Sequence, residues 1–91
     1  MQSAHDLGTE LFGPENYTVE HREFTDGDSR TIVSHAIGWS STNFINIQVW
    51  MSKSEVWVDY HEHDCRRSRT IMPLDEFDAE KDPGEYIRPN A

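Results

Sequence analysis

The densest run of reactive side chains is Asp59, Tyr60, His61, Glu62, His63, Asp64 and Cys65. In an extended strand, residues two apart share a face at a spacing of roughly 6.6 Å, so Asp59, His61, His63 and Cys65 would project together. His35 would reach them from a neighbouring strand. Two imidazoles at that spacing hold a metal only if a third donor joins them within about 2.0 to 2.3 Å of one point. His61 and His63 are therefore weak metal candidates: the chain has one cysteine, so no paired-cysteine spacing, and no histidine pair one helical turn apart. Cross-strand hydrogen bonding is the ordinary use of such residues, and no metal or cofactor is expected.

The same groups could do acid–base chemistry if Asp59 oriented His35 through Gln48. The sequence singles out no nucleophile to accompany them, and a flat sheet excludes little water. The chain is read as a non-enzyme, with a metal-dependent enzyme using the His/Asp cluster as the least favoured alternative.

Positioning these residues requires strands. Tyr17–Phe24, Arg30–Ser40, Phe44–Met51, Glu55–His63 and Arg67–Met72 alternate as half-buried strands, with Asp26 and Gly27 marking the first hairpin. Together, residues 17–72 make a five-stranded antiparallel meander. Ser3 and Asp6 have capping-box spacing before a helix over 3–12, in which Ala4, Leu7, Leu11 and Phe12 share one side; Gly13 and Pro14 end it. A short acidic helix is expected over 74–81 and a loose tail over 82–91. The fold class is α+β, in a single domain.

Closing strands three and four at Lys53 and Ser54 predicts Met51 opposite Val56, Val49 opposite Val58 and Trp50 opposite Trp57. Closing strands four and five at Cys65 and Arg66 predicts Tyr60 opposite Ile71 and Glu62 opposite Arg69. Ile32, Ser34, Ala36 and Gly38 are assigned to the core face, where the small residues would admit the helix. The second face then collects Val33, Ile37, Trp39, Phe44, Trp50 and Trp57 around His35, Gln48, Asn46, Asp59 and His61. Tryptophan beside hydrogen-bonding groups is the composition of an interface hot spot. Closure into a half-barrel, or cover by the tail through Tyr86 and Ile87, would instead hide it.

Eight basic against seventeen acidic residues give a net charge of −9, which disfavours direct binding to nucleic acid or anionic membranes. The same charge suits a larger protein with a basic surface. Asp75, Glu76, Asp78 and Glu80 would form an acidic ridge on the second helix, able to imitate a row of phosphates. No apolar run approaches the roughly 20 residues of a membrane helix, and the amino end lacks the pattern of a signal peptide, so a cytoplasmic location is expected, in the host cytoplasm if the chain is viral.

The expected function is a small acidic inhibitor that masks a basic, nucleic-acid-binding surface of a larger protein. A phage-encoded anti-defence protein of the anti-CRISPR or anti-restriction type, or an immunity protein, would fit. The alternative is a self-associating structural or accessory protein, with a homodimer as its simplest form.

Overall fold

The computed structural model describes residues 3–23, 29–38, 40, 42–63 and 65–86. A helix, α1 (Ala4–Phe12), precedes five strands: β1 (Thr18–Glu23), β2 (Ser29–Gly38), β3 (Phe44–Trp50), β4 (Glu55–Glu62) and β5 (Cys65–Pro73). The strands lie in one sheet in sequence order, every neighbouring pair antiparallel. The expected meander and amino-terminal helix are both present. The Asp26–Gly27 turn lies outside the described residues, although β1 and β2 pair as it requires, from Glu23 opposite Ser29. No described helix is long and apolar enough to cross a membrane.

Ser3 caps α1, its hydroxyl accepting from the Asp6 amide at 3.1 Å. Gly13 closes it at φ 94°, a left-handed conformation that favours glycine, and its amide donates to the Thr9 carbonyl at 3.0 Å. Leu7 carries the helix into the core, at 6% exposure. Ala4, Leu11 and Phe12 pack beside it, as the helical spacing predicts.

One row of side chains runs through the core across all five strands: Val19, Val33, Val49, Val56 and Met72, each opposite the next. Val33, Val49 and Val56 are wholly buried. The next row on that face, His35, Ile47, Val58 and Thr70, and the one after it, Ile37, Ile45, Tyr60 and Ser68, complete the surface on which α1 lies.

This registration inverts the expected faces of β2. Val33, His35 and Ile37 belong to the core face, while Ile32, Ser34 and Ala36 face away with Trp50, Gln48 and Asn46. Side chains alternate strictly along a strand, so a one-residue difference in the connection through residues 39–43 exchanges every one of them. Ile32 and Val33 are both fully buried, so β2 is apolar on both sides and its pattern does not select a face. Close approach of the helix is therefore not provided by Ser34, Ala36 and Gly38. Gly8 provides it: a Cβ there would stand 2.5 Å from Cδ2 of the Tyr17 ring.

Strand β3 meets β4 two residues out of the expected register, with Val49 opposite Val56 and Trp50 opposite Glu55. The reversal is a 3-10 turn, Met51–Lys53, closed by Ser54 at φ 50°, rather than a two-residue hairpin. A shift of two preserves the faces but turns Trp50 and Trp57 into diagonal neighbours. Strand β5 departs further: Cys65 and Arg66 lie in the strand rather than in its turn, with Glu62 opposite Cys65 instead of Arg69. An irregularity between Tyr60 and His61 then shifts the pairing by one more residue, so that Tyr60 opposes Ser68, Trp57 opposes Ile71 and Asp59 opposes Arg69. Met72, not Ile71, is the β5 residue in the core.

The acidic helix over 74–81 does not form. A 3-10 turn, Leu74–Glu76, gives way to extended backbone at Phe77. The Asp78 amide donates to the Tyr86 hydroxyl at 2.9 Å, and that hydroxyl in turn reaches the Asp78 carbonyl at 3.2 Å. The Asp78 carboxylate accepts from the Glu80 amide. These bonds replace the helical ladder with a local turn, as aspartate side chains tend to do. Residues 83–86 are not loose: Pro83–Tyr86 is a further 3-10 turn, and the Tyr86 ring packs 5.6 Å from Phe77 against the core. The Tyr86 carbonyl accepts from the Thr70 hydroxyl at 2.7 Å. Residues 87–91 lie outside the described residues.

Candidate functional site

While α1, Leu74, Phe77 and Tyr86 pack on the core face, the opposite face buries Ile32, Trp50 and Asp59 and leaves Trp57 half-buried and Ile71 exposed. Its rows follow from the register. Glu20, Ile32, Trp50, Glu55 and Pro73 form one; Thr18, Ser34, Gln48, Trp57 and Ile71 the next; then Ala36, Asn46, Asp59 and Arg69; and last Gly38, Phe44 and His61.

Aromatic stacking organises this face. Trp50 and Trp57 lie with ring centroids 4.6 Å apart, and the Arg69 guanidinium stands 4.6 Å from a Trp57 ring centroid. Trp50 is 5% exposed, whereas Trp57 is half-buried and its indole N–H points to Glu55 Oε1 at 3.4 Å. At the far end Phe44 and His61 stack at 4.5 Å, nearly parallel. Each stack fixes a ring that could otherwise rotate, at a gain of about 0.5 to 1.5 kcal/mol.

Between the stacks sits an ion pair. Asp59 accepts two hydrogen bonds from Arg69, at 2.8 Å from Nε and 3.0 Å from Nη2. Its carboxylate is almost completely buried, while the arginine remains about one-third exposed. A carboxylate this deeply desolvated needs such a bidentate partner. The pairing raises the Arg69 pKa above its already high ordinary value. Arg69 thus acts as a clip that holds Trp57 from one side and neutralises Asp59 from the other.

Of the residues expected on this face, Phe44, Gln48, Trp50, Trp57, Asp59 and His61 are brought together. Trp39 lies outside the described residues. His35 is on the opposite face, where its ring stacks on Phe12 at 4.9 Å and Nδ1 donates to the Asn16 carbonyl. The sheet therefore separates His35 from Asp59 and Gln48, and the acid–base arrangement is not formed. The metal arrangement fails for a related reason. His61 stacks on Phe44, whereas His63 turns out of the strand at φ 53° with an exposed side chain near Glu62. Among the described residues no group of three histidine, cysteine, aspartate or glutamate side chains is placed to hold a metal ion.

Asp75, Glu76, Asp78 and Glu80 are exposed and belong to the turns after β5, where they form no helical ridge. Tail cover of the face does not occur through Tyr86, which packs on the core side. Sequence reasoning missed Arg69 and Ile71, the β5 members of the site. The signal for Arg69 was Asp59 itself, a carboxylate within an apolar strand that requires a cation opposite; nothing marked the pairing irregularity that aligns them. Comparison with protein families, with curated proteins and with solved structures finds no match for this chain.

Proposed function

We propose that the chain is a non-enzymatic protein-binding module that docks its tryptophan face on a larger protein with a basic surface. Ile71 carries this reading. It is 50% exposed, the one large hydrophobic side chain so exposed among the described residues, and it stands opposite Trp57 at the edge of a face already organised by stacked rings. A half-exposed aliphatic side chain beside ordered aromatic and polar groups is what an interface anchor requires before its partner arrives.

Charge points to the kind of partner. The face carries Glu20, Glu55 and Asp59 against Arg69, and the whole molecule carries −9. Such a field steers a basic surface toward the face and repels nucleic acid. Masking a basic, nucleic-acid-contacting surface, as an anti-defence or immunity protein does, is the form of inhibition this charge favours.

The test uses two face variants, Ile71→Arg and Gln48→Arg, immobilised beside the wild-type chain and checked for folding by circular dichroism. A protein retained by wild type and lost from both variants supports the reading. Equal retention of the same proteins on all three surfaces overturns the face assignment.

A further inference from the structure

The last strand of the sheet has two unlike halves. Residues 65–69 carry Arg66, Arg67 and Arg69, whereas residues 70–73 carry no charge. On its outer side β5 has no strand partner among the described residues. Charged side chains along an edge discourage pairing with another strand, so the uncharged half is the part of this edge left open to it. At the opposite edge, β1 bears Glu20, Arg22 and Glu23, and none of its described side chains is a large exposed apolar group.

Beside the uncharged half the chain folds back and leaves a groove of about 340 Å³ between β5 and the carboxy-terminal turns. Ile71 and Tyr86 supply its apolar surface, and Glu76 and Glu85 line it with carboxylates. The Lys81 ammonium stands 4.9 Å from the Tyr86 ring centroid in the same groove. The groove thus already seats a cation on an aromatic ring in the company of two carboxylates.

We propose that this groove takes an extended, basic segment of the partner, added to the sheet as a further strand on β5. Main-chain hydrogen bonds to residues 70–72 would hold the segment, an apolar side chain would rest on Ile71, and an arginine or lysine would displace Lys81 from Tyr86 and meet Glu76 and Glu85. This is strand addition, in which the edge backbone supplies affinity and alternate side chains supply specificity. The inference rests on the reading of the chain as a binding module and names the part of the partner that the edge recognises.

The probe is a short synthetic peptide of alternating valine and arginine, titrated into the nitrogen-15-labelled full chain, with a valine–glutamate peptide as its counterpart. The expected result is saturable amide shifts confined to Thr70, Ile71, Met72, Glu85 and Tyr86, and none from the glutamate peptide. Replacing both Glu76→Gln and Glu85→Gln weakens binding about tenfold, while Lys81→Ala leaves it unchanged or tighter. The proposal is overturned by the absence of saturable shifts, by shifts spread over all the acidic segments, or by wild-type affinity in the doubly substituted chain. Gln48→Arg, on the face but away from the edge, leaves the peptide titration unaltered, so failure of the groove and failure of the face are read separately.

Discussion

Asp59 and Arg69 form a bidentate ion pair in which the aspartate is 4% exposed and the guanidinium shields one side of Trp57. The burial is unequal, and that inequality decides which half of the pair matters more. Without Asp59, the arginine can swing into water; without Arg69, the carboxylate stays desolvated.

Arg69→Met is accordingly expected to destabilise the fold by about 3 kcal/mol, the cost of an uncompensated buried charge. Asp59→Asn should cost less, and the double variant should recover part of the Arg69→Met loss. Urea unfolding of the four proteins checks this; equal losses for the two single variants contradict it.

Ile71→Arg should leave stability within about 0.5 kcal/mol, because half of the side chain is already in water. Partner binding by contrast should fall by about 2 kcal/mol or more in Trp57→Ala, which removes the central ring of the face. Calorimetric titration against a captured partner measures the second effect and thermal unfolding the first.

Gly8→Ala should destabilise despite the better helix former. Alanine gains about 1 kcal/mol of helix propensity, but its methyl group would meet the Tyr17 ring at 2.5 Å, and overpacking of this kind costs about 1 to 3 kcal/mol. A rise in melting temperature would show that Tyr17 yields freely.

The Tyr60 hydroxyl donates to the Glu62 carboxylate at 2.9 Å. That bond, with burial and the nearby negative charge, raises the phenol pKa above its ordinary 10.0. Because the folded value is the higher one, the bond's contribution to stability is complete below pH 10.0 and disappears as pH rises through the folded value. Carbon-13 tyrosine ring resonances should show the Tyr60 midpoint falling toward the ordinary value in Glu62→Gln; an unchanged midpoint contradicts the assignment.

Reversal of Asp75, Glu76 and Asp78 to lysine should slow partner association, most at low salt, since exposed charges act mainly on the encounter and are screened by ions. Stopped-flow association rates at two salt concentrations test this.

The order of strands, the capped helix and its glycine stop were legible because each rests on local chemistry: alternation, Ser3, Gly13 and turn residues. The faces of β2 were not, since Ile32 and Val33 are equally apolar and only the length of the β2–β3 connection chooses between them. The pairing of Asp59 with Arg69 depends on a strand irregularity at Tyr60 and His61 that leaves no compositional mark. The acidic segment read as a helix from its spacing, but Tyr86, eight residues further on, captures the backbone of Asp78. Phe44, Trp50 and Trp57 were placed together correctly because their strand parity survived a register shift of two.

The most direct test of the central claim is light scattering behind size exclusion over about a hundredfold range of concentration, where mass action reveals self-association. The face is assigned to a foreign partner, so the wild-type chain is expected to stay monomeric throughout. A stable dimer that Ile71→Arg converts to monomer would contradict the account, because the tryptophan face would then be used by a second copy of the same chain.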